Sequence, residues 1–284
     1  MSDLTGKRVL VTGANTGIGR VTAEQLARRG AHVILACRSE EKARPVIEAI
    51  RTHAGSAEFL PLDLADLESV RDAAAKVVQG GEPLAVLVNN AGVGAQRGIT
   101  KQGFEIHFGT NHLGHFLLTK LLLPLLRPTS EYDDKPRIVN VASLAHRQAK
   151  TIDFDAVRTS TPSVVGRHEY AVSKLANILF TKELARGRAG AGVVSVSLHP
   201  GVVASDVWRR IPWPLRSIMK LFMLSNEEGA ATTLHCATAE RVEDGAYYDK
   251  CAIAKVSRAA DDAELAAELW KRSEAWVAPF SGAG

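Results

Sequence analysis

The chain has 284 residues, 46% of them hydrophobic and 23% charged, with a formal net charge of +4. That supplies one large α/β core and is short for two. Acidic and basic residues are well mixed, which gives no basis for a nucleic-acid surface, although the slight positive excess suits an anionic ligand.

Met1-Ser-Asp-Leu-Thr-Gly leads almost at once into a buried strand at 7–12. Neither leader nor membrane anchor is therefore expected, and the expected location is cytoplasmic. Gly13-Ala-Asn-Thr-Gly-Ile-Gly19 follows, and residues 20–29 carry helical periodicity through Val21, Leu26 and Ala27. Strand, glycine turn and helix in that order form the setting of a dinucleotide site. Glycines let the backbone approach a pyrophosphate, and the helix N-terminus offers free N–H groups and a positive dipole end. Gly13, Asn15, Thr16, Gly17, Ile18 and Gly19 are the candidate contacts in this turn.

Further strands are expected at 32–36, 57–61, 84–88, 137–142, 193–198 and 246–248, with helices between them, the longest at 103–126 and 169–185. The alternation implies a single parallel sheet of about seven strands, doubly wound with helices on both faces. Strands such as Val-Val-Ser-Val-Ser-Leu at 193–198 carry no charge, as strands buried on both faces should. Ligands of such sheets lie beyond the carboxyl ends of the strands, where Asn89, Ser143 and Pro200 converge. The longest apolar run, 117–126, contains Lys120 and falls far short of the ~20 residues of a membrane span. Three cysteines without metal spacing read as free thiols of a reducing compartment, and the nine histidines suggest no metal.

Tyr170-Ala-Val-Ser-Lys174 places a phenol and an ammonium one helical turn apart. A positive charge at about 4 Å favours the phenolate by roughly 4 kcal/mol at an effective dielectric of ~20. A Tyr so tuned could exchange a proton with an alcohol oxygen near neutral pH. Ser143 ends the fifth strand and could hydrogen-bond that oxygen as charge develops on it. The second strand ends in Cys37-Arg38-Ser39 rather than an acidic residue. Arg38 pairs with a phosphate in a charge-assisted manner, favouring NADP(H) over NAD.

Together these pieces resemble the short-chain dehydrogenase/reductases, and among them the retinol-dehydrogenase-like branch. Thr12-Gly-Ala-Asn-Thr-Gly-Ile-Gly19, Asp63-Leu64, Asn89-Asn-Ala-Gly92, Asn111-His-Leu-Gly-His-Phe, Asn140-Val-Ala-Ser143, Tyr170 to Lys174 and His199-Pro-Gly201 occur in the family's order. The resemblance implies one Rossmann-type domain over 1–284 and a catalytic quartet of Asn111, Ser143, Tyr170 and Lys174. Lys174 would also hold the nicotinamide ribose, and Asn111 would kink its helix and hold a proton-relay water. Asp63 and Leu64 would border the adenine, and Asn90, Ala91 and Gly92 the adenosine ribose. Pro200, Gly201 and Val202 would meet the nicotinamide, and Ser205 stands where the family usually has a pyrophosphate-binding Thr. The family commonly has two serines at 142–143; here Ala142 leaves Ser143 alone.

The implied reaction is hydride transfer between nicotinamide and a hydrophobic carbonyl or alcohol: a retinoid, steroid, lipid aldehyde or xenobiotic. Alternatives are a protochlorophyllide-reductase-like enzyme and a non-catalytic NADP-binding sensor or scaffold. Residues 144–169 should form an extra rim loop. Residues 204–224, rich in Trp, Ile, Leu, Met and Phe between arginines, read as a substrate lid, a membrane-surface patch or a packing or subunit contact. Homo-oligomers through the helices at 169–185 and 226–239 are a family habit that the residues neither require nor exclude.

Overall fold

The computed structural model describes residues 3–126, 135–187, 192–201 and 225–282. Among these residues eight strands form one sheet: β1 (Arg8–Thr12), β2 (His32–Cys37), β3 (Ser56–Pro61), β4 (Leu84–Asn89), β5 (Arg137–Val141), β6 (Val194–His199), β7 (Tyr247–Asp249) and β8 (Ala252–Ile253). Their order is β3-β2-β1-β4-β5-β6-β7-β8, parallel except for the antiparallel β7–β8 pair.

Alternate residues of each strand feed two separate cores. Leu10, Ile34, Leu87 and Ile138 point to one face, and Val9, Val11, Val33, Val86 and Val139 to the other. That alternation within largely apolar strands is why both faces require a helical cover. On the Val9 side lie α1 (Gly17–Ala27), α2 (Glu40–Thr52) and, within the described residues, a C-terminal-half helix from Asn226 to Thr238. On the Leu10 side lie α3 (Leu67–Gln79), the short α4 (Ile106–Phe108), α5 (Gly114–Leu122), α6 (Arg167–Ala185) and a last helix. Counting in chain order, Asn226–Thr238 is α7 and Ala263–Val277 is α8. Trp270 of α8 packs on Phe116 and Phe180 at ring-centroid distances of 5.0 and 5.9 Å, so α6 is covered by the chain's own last helix.

Two expectations are refined. The single helix expected at 103–126 is broken: α4 runs into a π-helical turn, Gly109–Leu113, before α5 begins. An eighth strand is added by a two-residue hairpin in which Lys250 and Cys251 both take positive φ, +51° and +62°. Glycine or asparagine is the usual signal for such a turn, and neither is present. Cys37, Cys236 and Cys251 are free thiols. Among the described residues no helix is long and apolar enough to cross a membrane, and no cluster could hold a metal.

Candidate active site

Strand order reverses between β1 and β4, and the crevice beyond their carboxyl ends is where an open α/β sheet receives a ligand. Gly13 and Gly17 occupy the left-handed region, with φ of +66° and +55°. A Cβ on Gly19 would lie 2.3 Å from the Gly13 carbonyl oxygen and 2.4 Å from Asn90 Nδ2, so only glycine lets α1 start this close to the turn. Asn90 Nδ2 donates to the Thr12 carbonyl at 2.8 Å, stapling the loop after β4 to the turn after β1. No acidic side chain stands in the first turn of α1, whose dipole therefore faces the crevice uncompensated.

The other cofactor candidates border the same crevice. Asn15, Thr16 and Ile18 lie in the turn and the first residues of α1. Arg38 follows β2, is exposed, and makes no ion pair among the described residues. Asp63 closes the loop after β3 through its carboxylate, which accepts the Ala65 N–H at 3.0 Å, and Leu64 beside it is buried under α5. Ala91 and Gly92 follow β4, and Pro200 and Gly201 follow β6. Val202, Ser205 and the whole 204–224 segment lie outside the described residues.

α6 carries Tyr170 and Lys174 on one face, as the spacing requires. Lys174 is buried and its Nζ donates to the Val141 carbonyl at 2.9 Å; burial draws its pKa down to about 8. The Tyr170 phenol departs from expectation. Burial pushes its pKa up, with only Ser143 pulling the other way. The ammonium is turned toward the end of β5, where it donates to the Val141 carbonyl, and lies 5.6 Å from the Tyr170 ring centroid.

Ser143 caps the short 3-10 turn Leu144–Gln148, its Oγ accepting the Ala145 N–H at 3.2 Å. Its carbonyl accepts from His146 Nδ1 at 2.7 Å, and His146 Nε2 accepts the Ser257 N–H at 3.2 Å, which anchors the serine to the C-terminal part of the chain. Asn111 sits in the π turn with its amide oxygen and both amide hydrogens engaged. Oδ1 accepts the Val93 N–H (2.8 Å), and Nδ2 donates to the Val93 carbonyl (3.0 Å) and Ser173 Oγ (2.9 Å). Ser173 donates in turn to the Tyr170 carbonyl at 2.8 Å. Ser173 is buried as the link between Asn111 and α6. A Cβ on Gly92 would stand 3.4 Å from Asn111 Oδ1 and 3.5 Å from Lys174 Nζ, so all three groups border one small space.

The sequence model of the short chain dehydrogenases matches residues 7–213. The chain belongs to the short-chain dehydrogenase/reductase family. Human retinol dehydrogenase 11 is 45% identical over 277 residues, spanning 94% of this chain and 84% of that protein. Human retinol dehydrogenase 13 is 42% identical, spanning 95% and 84%. A crystal structure of an uncharacterised protein from Mycobacterium paratuberculosis superposes with a TM-score of 0.78 at 35% identity, covering 98% of this chain and 96% of that one. A Burkholderia cenocepacia short-chain dehydrogenase in complex with NADP gives 0.68 at 26% identity, covering 87% and 96%.

Within this dehydrogenase the sequence reading missed Thr12, His115 and His146, which touch site residues only through hydrogen bonds. For Thr12 the signal was present, since a hydroxyl residue directly follows the buried apolar run Val9-Leu-Val11 at the end of its strand. The histidines carried none, because imidazoles with single helical neighbours look alike whether they bond to a site or fill a core.

Proposed function

We propose that this oxidoreductase uses NADP(H) to interconvert a hydrophobic aldehyde or ketone and its alcohol, with Tyr170, Ser143, Lys174 and Asn111 as the reacting group. The observation that carries the reading is their convergence: four side chains from two elements, the π turn and α6, and from the loop after β5 meet beside the crevice that the glycine turn opens. The bound nicotinamide would supply or accept the hydride at the carbonyl carbon. In reduction, Tyr170 gives its proton to the carbonyl oxygen while the Ser143 hydroxyl donates a hydrogen bond to it. Lys174, with a pKa near 8, can lose and regain a proton near neutral pH, so it suits resupply of the tyrosine. Asn111 holds the space beside that ammonium.

Arg38 supports the phosphorylated cofactor, being an exposed guanidinium with no carboxylate partner among the described residues, as a 2′-phosphate requires. A structural relative was solved with NADP. For the substrate, Leu144, next to Ser143, is 37% exposed, and Val164 and Val165, just before α6, are 83% and 55% exposed. An apolar rim on both sides of the tyrosine and serine suits a greasy molecule, and close relatives are named for retinol.

The test is NADPH oxidation with linear aldehydes of increasing length. Each buried methylene should add about 0.8 kcal/mol, or roughly fourfold in apparent affinity, until the pocket is full. Tyr170→Phe should lower turnover by ~10²-fold or more and leave NADPH binding intact. Indifference to chain length sinks the hydrophobic substrate; an active Tyr170→Phe sinks the proton donor; equal use of NADH and NADPH sinks the role of Arg38.

A further inference from the structure

Thr12 ends β1, and its hydroxyl oxygen is fully engaged. It accepts the N–H of Asn90 at 2.9 Å and that of Ala91 at 2.9 Å. A hydroxyl has two lone pairs and one proton, so with both acceptor places taken the proton must be given away. Its near acceptor is His115 Nε2 at 2.9 Å, whereas the Val88 carbonyl stands off at 3.4 Å. Nε2 is therefore the bare nitrogen of His115. The ring proton sits on Nδ1, which donates to the Asn111 backbone carbonyl at 2.9 Å. The imidazole is 2% exposed, and burial pulls its pKa down to about 4, so it is neutral whenever the enzyme works near neutral pH.

We infer that His115 is a positioning residue whose two nitrogens lock the Asn111 peptide to the cofactor crevice through one directed chain of hydrogen bonds. The inference rests on the roles proposed above for Asn111 and the glycine turn. Each nitrogen serves a different half of the site. The Nδ1 side fixes the main chain of the π turn where Asn111 borders Lys174. The Nε2 side fixes Thr12 and, through it, the two amides that lead from β4 into Asn90, Ala91 and Gly92. His115 itself touches no reacting atom.

Two amides separate the halves, because an Asn nitrogen reaches about as far as Nδ1 and a Gln nitrogen or oxygen about as far as Nε2. His115→Gln keeps the Thr12 partner and releases the Asn111 carbonyl. His115→Asn does the reverse. Loss of one buried hydrogen bond corresponds to roughly tenfold. The expected pattern is therefore crossed. His115→Gln lowers kcat by about tenfold and NADPH affinity by less than ~threefold, with an enlarged solvent isotope effect on kcat. His115→Asn weakens NADPH by about tenfold and lowers kcat by less. Thr12→Val removes the Nε2 donor from the other end and should reproduce the His115→Asn pattern, including when an amide variant does not fold. Parallel losses of kcat and NADPH affinity in both amides, or no loss in either, overturn the inference. Tyr170→Phe is assayed alongside: if it stays active, the functional reading has failed, and if it is inactive while the histidine variants show no crossing, only the His115 inference has.

Discussion

Lys174 shows what a reactive group costs the fold. Its pKa of about 8 means that the charged form is disfavoured by burial, which is the sole cause of the shift. A displacement from 10.5 to about 8 corresponds to about 3 kcal/mol at ~1.4 kcal/mol per unit. The sign follows from the unfolded chain, which holds its proton up to about pH 10.5. The penalty is present in full below about pH 8, fades between 8 and 10.5, and is gone above. Lys174→Met should therefore stabilise the protein at pH 7, by about 1–3 kcal/mol, while removing activity, a trade expected of functional sites. The Val141 carbonyl would keep a partner, because Asn177 Nδ2 also donates to it at 3.3 Å. Urea denaturation at pH 7 and at pH 10 checks this, and the gain should shrink at the higher pH. A variant less stable than its parent at pH 7 would mean that the ammonium is held by more than its single carbonyl.

At the scale of elements, the segment 144–169 is held by a carboxylate that nothing in its local sequence singles out. Glu105 caps α4, accepting the N–H of His107 at 2.8 Å and of Phe108 at 2.9 Å. It also accepts from His107 Nδ1 at 2.8 Å and from the Thr161 hydroxyl. Burial alone would raise its pKa, but the hydrogen bonds from His107 and Thr161 outweigh it, so the carboxyl is held below its usual range. Thr161 is tied to Gly98 as well, and the His107 ring meets Tyr170 edge-on at 6.2 Å. A Cβ on Gly166, the residue that opens α6, would fall 2.2 Å from His107 Cε1. Glu105 thus sets the start of the tyrosine helix through His107. Glu105→Gln turns an acceptor of four donors into a group that must itself donate, and should cost about 1–3 kcal/mol of stability. Urea denaturation decides, and a Gln variant as stable as the parent would show the charge to be dispensable. The same neighbourhood explains why the helix expected at 103–126 is broken. A Cβ on Gly109 would meet Thr100 Cγ2 at 2.4 Å, and one on Gly114 the Leu64 carbonyl at 2.5 Å. The two close approaches flank the π turn and are set by partners outside the helix, Thr100 before it and Leu64 after β3, so local periodicity carries no trace of them. By contrast the central strands, buried on both faces and apolar along most of their length, match their expected positions to within a residue or two. The glycine turn and Tyr170 with Lys174 were legible because their chemistry is local; the direction of the Lys174 ammonium was not, since it depends on β5.

Across the whole molecule, histidines buried in neutral form link the two halves of the site to acid sensitivity. Burial first, and then the neighbouring His115, lowers His112 to about 3; burial first, with Lys174 adding to it, lowers His115 to about 4. His146 and His199 are lowered too, again chiefly by burial. An unfolded histidine titrates near ~6.5. Between that value and about 4 the unfolded chain takes up protons that the folded chain refuses, so stability is complete above about pH 6.5 and falls as the pH drops. Each such imidazole contributes a slope approaching ~1.4 kcal/mol per pH unit, and His112 with His115 about twice that. Against a total stability on the order of 5–15 kcal/mol, the protein should unfold cooperatively on acidification, between roughly pH 4 and 5. His112→Phe tests the origin of the slope. The ring already packs among Phe108, Phe116 and Phe180, at centroid distances of 5.1, 6.0 and 5.9 Å, so a phenyl group fits its surroundings. It forfeits one hydrogen bond, to Ser273 at 3.0 Å. The variant is expected to start lower at pH 7, by about 1 kcal/mol for that bond, yet to lose stability less steeply between pH 6 and 5, by up to ~1.4 kcal/mol per pH unit. Parallel slopes for parent and variant, measured by urea denaturation at each pH, would place the acid sensitivity in the carboxylates instead.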